Sequence, residues 1–402
     1  MTYALTNGKI YTCNSTDEVI ESGTIIIRHG KIEKILPNSD QIPTDVEVID
    51  VQGKCIVPGF VNSHTHEGIF DGTVGEMGVD GNEASFPTTP MLRVIDAINI
   101  EGPAFKESAK GGVTTINTGP GSANVIGGQF ALVKTYAKSN QVEDYILKAP
   151  SAMKAALGEN CKFTFTPNRA KTRMGIAAIF RKAFVEAQTY GRKWEEYSKK
   201  KHDAEEKNEL DKIPSCPDLD NDKELLLKVL KREIPIHIHC HQHNDIVTAI
   251  RLAEEFNLDL MIVHGTEGHK IADFIASKNI PVSVGPSLVG FHKSELRHIT
   301  FDTPSILHKA GVMISIQSDM VPRPLYFQLL PCMAVKYGLP VVTALRAVTI
   351  DAAKMCGVGD RIGSIEEGKD ADLVVWSAHP VKNFYAENLL TMVDGNIAYR
   401  KE

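Results

Sequence analysis

Short apolar runs that end in polar or turn residues set the rhythm of this chain. Near the start, Tyr3-Ala-Leu, Lys9-Ile-Tyr-Thr, Gly23-Thr-Ile-Ile-Ile-Arg28, Lys31-Ile-Glu-Lys-Ile and Val46-Glu-Val-Ile-Asp-Val51 alternate or run apolar, and Asn7-Gly8, His29-Gly30 and Gln52-Gly53 punctuate them as turns. Gly368-Lys-Asp-Ala-Asp-Leu-Val-Val-Trp376 has the same texture, and Leu390 to Tyr399 reads as a hairpin around Asp394-Gly395. Both ends of the chain are therefore predicted to be β structure, meeting in one small sheet domain made of residues 1–55 and 365–402. Between them, strand candidates at 56–62, 112–117, 130–134, 145–149, 234–240, 260–264, 281–285 and 312–318 alternate with helical stretches. Asp245 to Phe256 shows the i, i+3, i+4 apolar spacing of a helix laid on a parallel sheet. That count predicts an α/β fold, a (β/α)8 TIM-like barrel over 56–364, rather than an open doubly wound sheet.

From about 161 to 231 the rhythm is interrupted by charged helical sequence, broken at Pro214-Ser-Cys-Pro217. This excursion reads as a solvated helical insertion. The alternative is a lid over the functional face, for which Arg169 and Arg173 are natural carboxylate binders.

Composition narrows the classes of function. The net charge of -6 gives no reason to expect nucleic acid as partner. No apolar stretch approaches the roughly 18 residues of a membrane helix, and the first residues lack the pattern of a signal peptide. The seven cysteines are scattered, odd in number and never paired as Cys-x-x-Cys, which fits a reducing compartment better than a disulfide framework. The expectation is a soluble cytoplasmic protein acting on a small molecule, with a homo-oligomer left open. No glycine-rich phosphate motif lies between a strand and a helix, so nucleotide binding has no support.

The candidate chemistry sits at the ends of the apolar runs. Lys54 to His66 ends in His64-Thr-His66, and side chains at i and i+2 of a strand share a face roughly 6 to 7 Å apart. Two surface histidines fit that spacing as well. A second run, Ile236 to His243, carries four histidines at alternate positions, all on one face. His237 and His243 at its ends are read as structural, His239 as a ligand, and His241 as touching substrate or metal. Met261-Ile-Val-His264 and Ile314-Ser-Ile-Gln-Ser-Asp319 complete the set. In a barrel these strand ends gather at one face, and nitrogen ligands with one carboxylate suit a divalent ion, zinc first. Asp319 is the candidate general acid/base, with a helix N-cap as its structural alternative. The loop from Asn117 to Gln129 follows the second core strand, and Asn117 and Gln129 are its candidate substrate contacts.

Taken together, Pro58-Gly-Phe-Val-Asn-Ser-His-Thr-His66, the His239 and His264 strand ends, Asp319, Ala344 to Lys354 and Asp360 to Val375 resemble the metal-dependent amidohydrolase superfamily. Within it the chain is most similar to the imidazolonepropionase and prolidase-like branch. The resemblance implies a TIM-like barrel with a β-sandwich from both termini, and hydrolysis at a carbon or phosphorus centre; the first expectation is cleavage of an amide or cyclic amide bond in a small polar substrate. It also implies one or two metal ions. Two-metal members bridge their ions with a glutamate or a carboxylated lysine. Glu159 is the first candidate here, since it follows a glycine turn as in N-acetylglucosamine-6-phosphate deacetylase, and Lys154 is the second. A mononuclear deaminase is the alternative enzyme and a catalytically silent scaffold the non-enzymatic one. Specificity is expected from the 119–129 loop, the 161–231 excursion and residues such as His292, Arg297 and Arg323.

Overall fold

The structure is a computed structural model that describes residues 2–37, 42–70, 75, 78–164 and 170–402. Arg169 lies outside the described residues. The N-terminal strands are β1 (Tyr3–Tyr11), β2 (Val19–Arg28), β3 (Lys31–Pro37), β4 (Glu47–Asp50) and β5 (Cys55–Pro58). The barrel strands are β6 (Phe60–Thr65), β7 (Val113–Thr118), β8 (Ile126–Lys134), β9 (Ile146–Ala156), β10 (Ile236–Cys240), β11 (Leu260–His264), β12 (Val282–Val284) and β13 (Ile314–Ile316). The C-terminal strands β14 (Leu373–Trp376), β15 (Asn388–Val393) and β16 (Asn396–Arg400) return to the first sheet, whose order is β16-β15-β14-β5-β1-β2-β3 with β4 on β1. Leu5, Ile10, Ile25, Ile27, Val375 and Met392 fill a core of that sheet's own.

One predicted strand proves to be two. The run 56–62 splits at Gly59, with β5 in the terminal sheet and β6 in the barrel. A Cβ at Gly59 would lie 2.1 Å from Thr114 Oγ1, so only glycine allows the chain to pass from one sheet to the other here.

The barrel sheet runs β13-β12-β11-β10-β9-β8-β7-β6. It is laced across its open seam where Asp319 N donates to His64 O at 3.2 Å and His66 N donates to Asp319 O at 3.1 Å. The eight strands match the predicted number, but β8 pairs antiparallel with both β7 and β9. The cause is connection length. Only residues 119–125 separate β7 from β8, and a parallel crossover takes a dozen residues or more.

The helices are α1 (Pro103–Lys110), α2 (Glu159–Phe163), α3 (Arg173–Glu206), α4 (Asn221–Leu230), α5 (His243–Phe256) and further short ones on the outside of the barrel. Thr172 caps α3 by accepting from Gly175 N at 3.0 Å. Phe180 and Phe184 of α3 pack on Phe256 of α5, with ring centroids 6.4 and 5.3 Å away. The helical excursion is thus anchored on the flank of the barrel. Among the described residues of the excursion, only Thr164 lines the cavity at the mouth, beside Glu159 and Asn160 just before it. No helix among the described residues is long and apolar enough to cross a membrane.

Candidate metal centre

Two clusters of ligand side chains meet at the mouth. His64, His66 and Asp319 form one, and His239, His241 and His264 the other, each with its ligand atoms within 4.8 Å of one another. His66 Nε2 lies 3.1 Å from Asp319 Oδ1, and His64 Nε2 lies 3.7 Å from it. The clusters touch, since the rings of His64 and His264 are 5.7 Å apart. In the second, the rings of His239 and His241 lie 4.4 and 4.5 Å from that of His264.

Hydrogen bonds outside the clusters leave nitrogen lone pairs inside them. His66 Nδ1 donates to Gly119 O and His264 Nδ1 donates to Gly285 O, both at 2.6 Å. A carbonyl can only accept, so the proton is on Nδ1 and Nε2 is left as a ligand in each case. His241 Nδ1 meets Thr266 Oγ1 at 2.7 Å. The Nε2 atoms of His239 and His241 are buried with no hydrogen-bond partner. Orphaned buried nitrogens are costly unless something else binds them, and a divalent ion fits this donor set.

Electrostatics keep the ligands in their binding forms. Burial, then the nearby Lys154, pushes the His64 imidazole well below its usual range, and burial followed by His264 does the same to His239 and His241. Burial brings His264 down to about 3. Burial pushes the Asp319 carboxyl up, but the neighbouring His66, His264 and Lys154 outweigh it and hold the group well below the usual carboxylate range. His264 and Asp319 also have φ of 74° and 55°, in the left-handed region where a residue other than glycine costs roughly 1 kcal/mol or more. The chain bends sharply at the two residues that end their strands as ligands.

The remaining candidates divide between the cavity and its surroundings. Lys154 is on β9, fully buried, with Nζ 3.2 Å from His64 Nε2. Burial lowers its pKa to about 7. Glu159 lines the cavity but belongs to neither cluster; its Oε2 accepts from Ser294 Oγ at 2.9 Å and Glu295 N at 3.3 Å. Asn117 was expected to face the substrate. Instead it is buried between strands, donating to Ser63 O at 3.1 Å and accepting from Ser151 Oγ at 2.6 Å. Gln129 is likewise turned away, donating to Pro90 O at 3.3 Å. Arg173 pairs with Asp245 at 2.7 Å and with Gln242, tying α3 to the start of α5. Arg323 pairs with Glu107. His292 lines the cavity, and Arg297 an outer depression beside it. Sequence reasoning missed Lys293, which also lines the cavity, and Glu267, which braces the loop after β11. Both are single charged residues in loops and carry no spacing signal.

A barrel whose strand ends converge on two touching histidine clusters, with a carboxylate and a buried lysine among them, defines the class of metal-dependent hydrolase barrels. The chain belongs to the amidohydrolase family: residues 55–398 match that family's model, and residues 2–56 match the NagA composite domain. It is 37% identical to an amidohydrolase of Thermotoga maritima, covering 99% of this chain and 100% of that one with a TM-score of 0.90. It is 28% identical to amidohydrolase tasK of Hapsidospora irregularis over 379 residues, which are 89% of this chain and 38% of that protein. Over 63 residues it is 46% identical to a 5-methylthioadenosine/S-adenosylhomocysteine deaminase of Bacillus anthracis, covering 15% of this chain and 14% of that one. The chain therefore spans well under half the length of these last two relatives.

Proposed function

We propose that this chain is a metal-dependent hydrolase that cleaves an amide or cyclic amide C–N bond in a small polar molecule at a two-ion site. The observation that carries this reading is Lys154, whose amine lies 3.2 Å from Nε2 of His64, the ring through which the first cluster approaches His264 of the second. A buried lysine with no carboxylate in hydrogen-bond reach among the described residues is poorly suited to stay charged. As the neutral amine it can add to CO2, losing a proton and gaining a carbamate, an anionic oxygen donor that would add to the ligand set. His64, His66 and Asp319 would hold one ion, and His239 or His241 with His264 the other, zinc being the natural choice for this donor set. A bound divalent ion supplies Lewis acidity, making water acidic near neutral pH and drawing electrons from a carbonyl.

The chain's own residues do the rest. Asp319 Oδ1, 3.1 Å from His66 Nε2, is placed to accept the proton of the attacking water and return it to the leaving nitrogen. Held well below its usual range, the Asp319 carboxyl is ionised at neutral pH, as a base must be. The cavity over the clusters, about 720 Å³, admits a small molecule rather than a folded protein. Separate cores support a division into one domain of residues 1–55 with 365–402 and a barrel of 56–364.

The test is Asp319→Asn, which keeps an oxygen donor but cannot take a proton. Turnover of an N-acyl amino acid and dipeptide panel should fall by roughly a hundredfold or more, with metal content close to wild type by elemental analysis. Normal turnover in that variant excludes the mechanism. Deamination of a ring amine is the second reading, favoured by the short stretch shared with the Bacillus anthracis deaminase. One ion per chain with ammonia as product would select it.

A further inference from the structure

Of the two arginines that the sequence offers as carboxylate binders, Arg169 lies outside the described residues and Arg173 pairs with Asp245, while Arg323 pairs with Glu107. A different cation faces the cavity. Lys293, in the loop after β12, lines it together with His239, His241, His264 and Asp319. Its side chain is only 14% exposed. Nζ donates to Asn160 Oδ1 at 3.2 Å and forms an ion pair with the buried Glu295 Oε2 at 3.6 Å. An ammonium has three donors, so with these two partners among the described residues one donor is left for the cavity side. Glu159, the other carboxylate at this edge of the cavity, is held by Ser294 and the Glu295 amide instead. A ligand anion entering the cavity would meet the remaining donor of an ammonium already held in place by Asn160 and Glu295. Outside it, His292, Lys293 and Arg297 share a depression that gives the approach a basic rim.

We propose that Lys293 is the specificity residue of this site and binds a carboxylate of the substrate. The inference rests on the hydrolase reading and narrows it to small C–N substrates that carry a carboxylate near the cleaved bond, N-acyl amino acids and dipeptides rather than neutral rings. Asn160 is a positioning residue that holds the ammonium towards the cavity.

The test is binding of N-acetylglycine against its neutral counterpart N-acetylglycinamide, by calorimetry on metal-loaded wild type, Lys293→Gln and Lys293→Arg, with melting curves to confirm folding. A charged hydrogen bond of this kind is worth about ten- to a hundredfold in affinity. Wild type should prefer the carboxylate by about that factor, Lys293→Gln should lose the preference, and Lys293→Arg should keep most of it. An unchanged preference in Lys293→Gln, or none in wild type, overturns the proposal. If Lys293→Gln loses the preference but no panel substrate is hydrolysed, the anion site stands and the hydrolase reading fails. If hydrolysis depends on Asp319 while the preference ignores Lys293, the reverse holds.

Discussion

Replacing Glu267 by glutamine isolates one charge that braces the metal centre. Glu267 follows β11, is buried, and its Oε2 accepts from the His243 amide at 3.0 Å and from His243 Nδ1 at 2.8 Å, while Oε1 accepts from Lys270 Nζ at 2.8 Å. It thereby caps the first turn of α5, whose freed amides favour a negative charge. Its own amide donates to His241 O at 2.8 Å, so the same residue holds the loop that carries a ligand. Burial alone would raise its pKa, but the bonds from Lys270 and His243 bring it from 4.5 down to about 2. At about 1.4 kcal/mol per tenfold change in acidity constant, that gap is worth roughly 3 kcal/mol. His243 and Lys270 are 50% and 34% exposed, so solvent screening reduces the figure to about 2 kcal/mol. Because the folded pKa lies below the unfolded one, this stabilisation is complete above about pH 5 and is lost as the pH falls through 4.5 towards 2. Urea unfolding of metal-free wild type and Glu267→Gln should therefore differ by about 2 kcal/mol near pH 7. The difference should shrink steadily below about pH 5. A variant as stable as wild type at pH 7, or a difference that ignores pH down to about 3, refutes the reasoning.

Lys154→Met should remove the carbamate donor and lower the metal content from two ions per chain to one or none, with turnover falling in parallel; two tightly held ions in this variant would rule Lys154 out. Lys134 is buried among Asp372 at 2.7 Å, Asp394 at 3.0 Å and Asp370 at 3.1 Å, where β8 meets the terminal sheet. Lys134→Met strands these carboxylates and should cost about 3 to 5 kcal/mol in urea unfolding. Arg173→Ala should lower the melting temperature by loosening α3 from α5 while leaving KM for a carboxylate substrate near wild type. A large rise in KM would return Arg173 to the substrate.

The strand rhythm could be read from sequence because each barrel strand is an apolar run ended by a turn, and the ligands could be read because they end those runs. Three things were hidden. The reversal of β8 depends on the length of residues 119–125 rather than on any pattern within Ile126–Lys134. The split at Gly59 arises from the approach of Thr114, distant in sequence. Asn117 sits at the end of a strand like the ligands, yet its side chain is taken by Ser63 and Ser151 from neighbouring strands, which no local signal reveals. Lys154, the second bridge candidate by sequence, is placed by strand register opposite His237.

The central claim is that two touching clusters with Lys154 between them form a two-ion hydrolytic site. Elemental analysis of the purified chain, made before and after chelation and paired with hydrolysis of the N-acyl amino acid and dipeptide panel, tests it most directly. The account predicts two divalent ions per chain, with hydrolysis lost on chelation and restored by zinc. A single ion that suffices for full activity, or hydrolysis that survives complete removal of metal, would contradict it.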